Sequence, residues 1–412
     1  MNPDVFVSDL AIDAFDYALP DSSIAFEPNP DRESSRLLLY RQGMLTESHY
    51  SRVADFLNSQ DHMVFNNSRV VQARLQFEPS AGTRRIEVFC LEPADKTLDQ
   101  TLALQSRGEV LWRCFVGNAK KWKEKVLSRI VKIEGETLTL FAELVAREED
   151  TCLIRLFWND DRFVFADILE AAGKIPLPPY IEREAVESDK ITYQTIYARD
   201  QGSVAAPTAG LHFTEAIFAR LRDKGIAFDY LTLHVGAGTF KPVKSERISD
   251  HVMHDEQLLL DRALLVRLLE AVCTGKNMVA VGTTSARFLE SIYWLGCRLA
   301  TSPDLTPSLG QWEAYQLAPL PVEDAFRQLL AYFERNGIGR LQARTSIMIM
   351  PGYDWKVVRK LITNFHQPKS TLVMLVASFI GDDWRKVYQY ALDHQFRFLS
   401  YGDGCFFEKK ES

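Results

Sequence analysis

Long apolar runs, paired cysteines and a basic leader are all missing from this sequence. No apolar stretch reaches the ~18 residues that a membrane-spanning helix requires, so we expect no membrane contact. The first residues, MNPDVFVSDL, do not combine a basic start with an apolar core, so we expect a cytoplasmic protein without a secretory signal. The six cysteines are scattered without a CxxC pair, which favours buried reduced thiols over a disulfide framework or a metal centre.

Common signatures of function are missing as well. The chain has no internal repeat, no nucleophile elbow, no set of protein-kinase motifs and no zinc-binding signature. Its glycines also lack the spacing of nucleotide-binding fingerprints. The net charge of −7 argues against nonspecific coating of nucleic acid but allows a local basic patch. The 412 residues, 46% hydrophobic and 25% charged, are ordinary for a soluble globular protein of two or three domains.

Two stretches stand out, AAPTAGLHF over residues 205–213 and TLHVGAGTFKPV over residues 232–243. Both concentrate Gly, His, Thr and Pro, which disfavours helix and strand interiors. The first directly precedes a predicted helix start, where free backbone amides suit an anion such as a carboxylate. The second follows a predicted strand and offers glycines that allow a close approach to a ligand. We interpret both as ligand-holding loops.

The middle of the chain differs from its flanks. Residues 72–160 contain short β-branched and aromatic segments such as RRIEVFCLE and TCLIRLFW, which predict an all-β module. The flanks predict alternating helices and strands, typical of an α/β fold. We therefore predict a discontinuous mixed α/β domain over 1–71 and 161–412, with an all-β module inserted at 72–160. The pattern predicts helices over 163–172, from Thr214, and over 262–273, 286–295, 324–335 and 370–380, and strands over 228–235, 278–281, 345–350 and at 396–400.

Further polar motifs allow more than one interpretation. HVMHDE, over 251–256, is compatible with metal binding, acid–base or substrate contacts, or a structural role. GTTS, over 282–285, lies between a strand and a helix, where its hydroxyls either cap the helix or bind a ligand. TNFHQPKST, over 363–371, brings an amide, an imidazole and an ammonium into one loop, and we favour a functional role.

Taken together, the motifs resemble the S-adenosylmethionine:tRNA ribosyltransferase-isomerase family. The resemblance runs almost from end to end, through SRLLLY, VFNNSRVVQARL, LPPYIERE, VAAPTAGLHFTE, TLHVGAGTFKPV, HVMHDE, AVGTTSARFLES, PGYDWKVV, LITNFHQPKSTLVMLV and FRFLSYGD. It implies an α/β domain with an inserted β-barrel and a reaction without a metal or cofactor. The ribosyl part of S-adenosylmethionine, consumed as a substrate, would move to 7-aminomethyl-7-deazaguanine in tRNA and become an epoxycyclopentane, releasing adenine and methionine. We expect tRNA and S-adenosylmethionine as partners, and a monomer.

Candidate site residues follow from the motifs and from the chemistry that the resemblance implies. A base must remove a proton made acidic by the sulfonium, and histidine has a suitable pKa. The candidate catalytic residues are His234, His212 and His366. The candidate substrate-binding residues are Thr208, Gly210, Gly236, Gly238, Thr283, Ser285, Asn364 and Lys369, and the candidate tRNA-binding residues are Arg36, Arg69, Arg74 and Lys241.

The sequence also departs from the family pattern. It is longer than usual between Glu290 and Pro351, with the extra residues within about 296–344, and it has Gln367 where the family normally has Leu. Three alternatives therefore stay open: a paralogue acting on another base or nucleoside, a noncatalytic tRNA-binding protein, and a metal-dependent hydrolase that would rest on His251 and His254. If the extra segment covers the site, a changed substrate becomes the better interpretation.

Overall fold

A ten-stranded mixed sheet organises the larger part of the chain. The computed structural model describes residues 10–79, 85–95, 99–236, 247–304 and 306–409. In this sheet the strand order is β16-β17-β14-β13-β3-β15-β18-β19-β1-β2. The strands are β1 (Arg36–Arg41), β2 (Met44–His49), β3 (Asp61–Asn66), β4 (Ser68–Val70), β5 (Arg74–Phe77), β6 (Ile86–Pro93), β7 (Glu109–Gly117), β8 (Val126–Ile133), β9 (Glu136–Arg147), β10 (Cys152–Trp158), β11 (Gly173–Lys174), β12 (Asp200–Ser203), β13 (Ala227–His234), β14 (Glu256–Asp261), β15 (Asn277–Val281), β16 (Ser308–Leu309), β17 (Arg340–Thr345), β18 (Val358–Asn364) and β19 (Gly404–Glu408).

Four neighbouring strands in the middle of this sheet, β13, β3, β15 and β18, run parallel. Their residues are largely buried, as expected for parallel strands covered on both faces. The α-helices of the described residues are α1 (Gln100–Ala103), α2 (Phe165–Ala172), α3 (Asp189–Thr192), α4 (Glu215–Asp223), α5 (Arg262–Cys273), α6 (Thr283–Thr301), α7 (Val322–Asn336), α8 (Thr371–Ile380) and α9 (Asp383–Asp393). The parallel strands therefore present their carboxyl ends at a single edge.

The second sheet is antiparallel and has seven strands in the order β11-β5-β6-β7-β10-β9-β8. Alternate side chains point into an apolar core of its own, where Phe165 of α2 packs against Trp112 and Trp158. The guanidinium of Arg129 on β8 connects the two ends of this sheet, because it donates to the carbonyls of Gln76, on β5, and Ala172. The predicted fold class, a mixed α/β domain together with an all-β barrel-like part, is confirmed. The boundaries at 72 and 160 stay predictions.

Most predicted elements are present, with three differences. The helix predicted over 286–295 begins earlier, at Thr283, and continues to Thr301. The strand predicted over 345–350 is wrong, because the strand before it ends at Thr345 and the following apolar residues lie buried without regular structure. The strand predicted near residue 396 is also wrong, since turns come first there and β19 begins only at Gly404. Buried apolar residues do not reveal by pattern alone whether they pair as strands.

A buried carboxylate fixes the position of α6. The side chain of Glu290 is fully buried and accepts hydrogen bonds from the backbone N–H groups of residues 356–358, at 2.9–3.0 Å, and from the hydroxyl of Tyr353. Tyr353 in turn accepts a hydrogen bond from the indole N–H of Trp294. Burial raises the pKa of Glu290, while these hydrogen bonds act in the opposite direction. This network attaches the middle of α6 to the start of β18.

Replacing this carboxylate tests its contribution. In a Glu290→Gln variant an NH2 group, which cannot accept, replaces one of the two carboxylate oxygens, so the buried donors at that oxygen lose their acceptor. We expect the free energy of unfolding to fall by about 2–4 kcal/mol in chemical denaturation. Glu270→Gln, at an exposed position on α5, is the matched control and should change it by less than about 0.5 kcal/mol. Equal effects of the two substitutions would contradict the assignment.

Candidate functional site

A cavity lies at the carboxyl ends of the parallel strands. It encloses about 690 Å³, counted with the part open to solvent. Val235 follows β13, Gly282 follows β15, and Thr363 and Asn364 end β18, so consecutive crossovers deliver these residues to one edge. Ligands of open α/β sheets bind at such edges. The other lining residues are Tyr180, Ala206, Pro207, Thr208, Ala209, Thr283, Thr284, Phe365, His366, Gln367, Ser370, Leu372, Leu399 and Ser400.

The loop over residues 205–213 and the end of β18 are joined by a hydrogen bond. Thr208 donates its hydroxyl hydrogen to Oδ1 of Asn364 at 2.9 Å, and Nδ2 of Asn364 lies 3.5 Å from Nε2 of His212. His212 is buried and stacks on Tyr50, with ring centroids 4.2 Å apart. Burial lowers the pKa of His212 from 6.5 to about 3, so the imidazole is neutral at physiological pH. His212 thus does not line the cavity itself but contacts the side chain of Asn364, which does.

His366 is the histidine candidate that lines the cavity directly. Its Nε2 lies 3.0 Å from the hydroxyl of Thr363, and its backbone groups contact two tyrosine hydroxyls, those of Tyr17 and Tyr388. Burial lowers its pKa to about 3. The side chain is therefore a neutral imidazole held in place by its backbone and by one hydroxyl.

His234 lies next to the cavity but does not line it. The imidazole packs against Gly202, where an added Cβ would lie 2.8 Å from the ring, and Nε2 lies 3.5 Å from the hydroxyl of Thr101. Its Nδ1 has no hydrogen-bond partner among the described residues. Burial lowers its pKa to about 4, with Asp99 and Asp200 acting in the opposite direction. His234 thus lies between the ten-stranded sheet and α1, and its catalytic role stays a prediction.

The start of α6 forms another wall. Gly282 has a positive φ of 91° and provides no side-chain cap, so the first N–H groups of the helix are left for another acceptor. Thr283 and Thr284 line the cavity, and the hydroxyl of Thr284 has no partner among the described residues. Ser285, by contrast, turns inward and donates to the carbonyl of Val281. Two of these three hydroxyl residues therefore face the cavity.

The remaining substrate-binding candidates lie elsewhere. At Gly210 an added Cβ would lie 1.9 Å from the hydroxyl of Tyr197, so close packing explains this glycine. No described residue comes within 4 Å of a Cβ added at Gly236, and Gly238 lies outside the described residues. Lys369 does not line the cavity and forms ion pairs with Asp13 and Asp16. A ligand-binding role for these residues stays a prediction.

The three candidate tRNA-binding residues that the structure describes lie on three different strands, β1, β4 and β5. Arg36 pairs with Glu47, and Arg74 pairs with Glu87. Arg69 is exposed on β4. Lys241 lies outside the described residues. A tRNA-binding role for these four residues stays a prediction.

Tyr180 and Ser400 line the cavity but were not among the sequence candidates. The hydroxyl of Tyr180 is hydrogen-bonded to the side chain of Ser400 and also accepts from its backbone N–H. Tyr180 lies in the motif LPPYIERE and Ser400 in FRFLSYGD, and both motifs carry the family resemblance. Membership in these motifs was the sequence signal that could have identified the two residues as site candidates.

Three further observations bear on the alternatives. Within the described ranges, no residue of 296–344 lines the cavity, so the extra segment does not cover it. The part of the chain that the structure describes contains no group of three or more His, Cys, Asp or Glu side chains placed to hold a metal. It also contains no helix long and apolar enough to cross a membrane.

A larger groove, of about 1510 Å³, lies between the seven-stranded sheet and residues 171–190. Its charged residues are largely paired with one another, as in Arg85 with Glu78 and Lys190 with Glu187. None of the candidate catalytic residues lines it. We therefore place the candidate site at the strand ends, where polar groups converge, rather than in the larger space.

The depressed histidine pKa values predict a pH dependence of stability. In the unfolded chain His212, His234 and His366 bind protons as the pH falls below 6.5. In the folded state the same histidines bind protons only at about pH 3–4, where their lowered pKa values lie. Stability is therefore fully present above pH 6.5 and lost as the pH falls. We expect His212→Phe, which keeps the ring on Tyr50, to reduce the slope of unfolding free energy between pH 6 and 4.5 by up to about 1.4 kcal/mol per pH unit. An unchanged slope in denaturation series would contradict this.

Comparisons with known proteins agree with the motifs. Residues 12–407 match the sequence model of a family described as Queuosine biosynthesis protein. The chain is 35% identical over 400 residues to a protein of Trichlorobacter lovleyi named S-adenosylmethionine:tRNA ribosyltransferase-isomerase, covering 96% of this chain and 98% of that one. The crystal structure of S-adenosylmethionine tRNA ribosyltransferase from Thermotoga maritima is 26% identical, covers 95% of this chain and 99% of its own, and gives a TM-score of 0.46.

The family match covers nearly the whole chain, including every loop that forms the cavity. The matched range takes in the strand ends, the start of α6 and the loop that carries His366. The chain therefore belongs to the queuosine biosynthesis protein family.

Proposed function

We propose that this protein transfers and isomerises the ribosyl moiety of S-adenosylmethionine onto 7-aminomethyl-7-deazaguanine in tRNA, giving epoxyqueuosine-tRNA, adenine and methionine. S-adenosylmethionine is consumed as the ribosyl donor, and no cofactor takes part. The observation that carries the proposal is the meeting of Thr208, Thr283, Asn364 and His366 in one cavity at the strand ends. The name of the Trichlorobacter relative supports it.

The start of α6 suits the methionine carboxylate. Its first-turn N–H groups carry partial positive charge and have no side-chain cap, and the Thr284 hydroxyl provides a further donor. Placing the carboxylate there directs the sulfonium and ribose toward Asn364 and His366, across the same cavity. Nδ2 of Asn364 carries two hydrogens, so one can face His212 while the other donates to a ligand oxygen.

A neutral base beside the sulfonium explains the first chemical step. The sulfonium acidifies the 5′ carbon of the ribose, so a positioned base removes that proton, and the resulting carbon meets the tRNA base. His366 is the best placed of the three histidines, because it is the one that lines the cavity; like the other two it is neutral at physiological pH. Its neutrality also avoids repulsion from the cationic sulfonium. His212 acts through Asn364, and His234 lies one residue from the lining residue Val235.

The direct test is one incubation of the purified protein with S-adenosylmethionine and tRNA that carries 7-aminomethyl-7-deazaguanine. Mass spectrometry of the digested nucleosides should show epoxyqueuosine, and free adenine should appear in equal amount. If no product forms while S-adenosylmethionine still binds, the acceptor differs and the proposal fails. If S-adenosylmethionine does not bind at all, a noncatalytic tRNA-binding protein replaces it.

Substitution of His366 tests the assignment of the base. His366→Asn should lower kcat by about 10²–10⁴-fold, because a general base contributes that much, and should change S-adenosylmethionine affinity by less than about threefold. His49→Asn, at an exposed position on β2, is the control and should leave kcat unchanged. A nearly normal kcat for His366→Asn would transfer the role to His212 or His234.

A further inference from the structure

A second cavity adjoins the first. It is partly open to solvent and measures about 500 Å³ when that open part is counted, and Leu372 at the start of α8 lines both cavities. Helix α6 also contributes to both, through Thr283 to the first and through Arg287, one turn later, to the second. Four residues of helix advance about 6 Å, so molecules in the two cavities lie close together. The other lining residues are His251, Met253, His254, Glu256, Ile347, Met348, Ile349, Thr371 and Leu375.

The polar wall of this cavity is an almost fully buried ion pair. Nη1 of Arg287 pairs with the carboxylate of Glu256, and the two side chains are 6% and 1% exposed. Nε and Nη2 of Arg287 have no hydrogen-bond partner among the described residues. A buried N–H without an acceptor costs about 1–3 kcal/mol, so a ligand that brings an acceptor gains that stabilisation. The guanidinium is thus prepared to bind a ligand oxygen.

The pair restricts what the ligand can be. Glu256 would repel a simple anion, and Arg287 would repel a simple cation. A ligand with an acceptor oxygen beside N–H donors satisfies both, because guanidinium only donates and carboxylate only accepts. The edge of a guanine-type base has this order, with O6 next to N1–H and the 2-amino group. The side chains of Met253, Met348 and Leu375 provide apolar contact for the faces of a ring.

We propose that the second cavity binds the guanine-type edge of the acceptor base, with Arg287 donating to O6 and Glu256 accepting from the N1–H and 2-amino side. The inference rests on the proposed function, since it names the place of the acceptor relative to the donor. An amino-acid zwitterion would also fit an Arg–Glu pair, but the uncapped start of α6 already offers a carboxylate site in the first cavity. Base and ribose then lie in adjoining cavities, as bond formation between them requires.

This assignment also gives the HVMHDE segment a role. His251, Met253, His254 and Glu256 all line the cavity, so the motif forms one wall. The side chain of Gln311 supports that wall, because it donates to the carbonyl of His251 and accepts from the backbone N–H of Met253. Gln311 belongs to the extra segment, which therefore braces the wall without lining the cavity.

The wild-type protein provides a first test. Ligand-observed NMR titrations would compare 7-deazaguanine with 7-deazahypoxanthine, which lacks the 2-amino group. We expect 7-deazaguanine to bind at least about tenfold more tightly, because only it can donate to the Glu256 carboxylate from the 2-amino group as well as from N1–H. Equal affinities would overturn the proposal. This measurement needs no turnover, so it can succeed or fail independently of the incubation with tRNA.

A pair of neighbouring variants provides the second test. Met253→Trp fills the cavity, whereas Val252→Trp adds the same ring at a position that is 78% exposed. Met253→Trp should weaken 7-deazaguanine binding and raise the KM for tRNA by at least about tenfold, with S-adenosylmethionine affinity unchanged. Val252→Trp should alter none of these. If Met253→Trp weakens S-adenosylmethionine binding instead, the cavity holds the donor and the proposal is wrong.

Discussion

The buried carboxylate of Glu290 fixes the relation between α6 and β18, on which the candidate site depends. Helix α6 brings its uncapped start to the cavity, and β18 brings Thr363 and Asn364. Because Glu290 accepts from three consecutive backbone N–H groups just before β18, the helix cannot slide without leaving buried donors unpaired. One charge-assisted network thus determines where the functional groups of two elements meet.

Burial gives the site its electrostatic character. The three candidate histidines are neutral because their surroundings disfavour the charged form, with pKa values of about 3–4. A neutral wall suits a cationic sulfonium, and the positive end of α6 suits the carboxylate at the other end of the same molecule. The ion pair of Arg287 and Glu256 adds a second type of recognition one helical turn away. The two cavities therefore differ in the chemistry that they select.

Local signals in the sequence predicted much of this arrangement. The helices predicted from Thr214 and over 262–273 and 370–380 are present, and the side chains of Thr214 and Ser370 cap the first and the last of them. The motifs also identified four residues that line the cavity, since strand ends share an edge in a parallel sheet. Side-chain direction could not be predicted: Ser285 turns into its helix and Lys369 turns to surface aspartates. The pair of Arg287 and Glu256 was not predicted, because only the fold brings these side chains into contact.

The proposed function depends on binding of S-adenosylmethionine in the cavity at the strand ends, with its carboxylate at the start of α6. A crystal structure of this protein soaked with S-adenosylmethionine, or with its unreactive analogue S-adenosylhomocysteine, tests it most directly. We expect ligand density between Thr208, Thr283, Asn364 and His366, with the carboxylate at the first N–H groups of α6. Ordered ligand density in the groove beside the seven-stranded sheet, with this cavity empty, would rule out this binding mode.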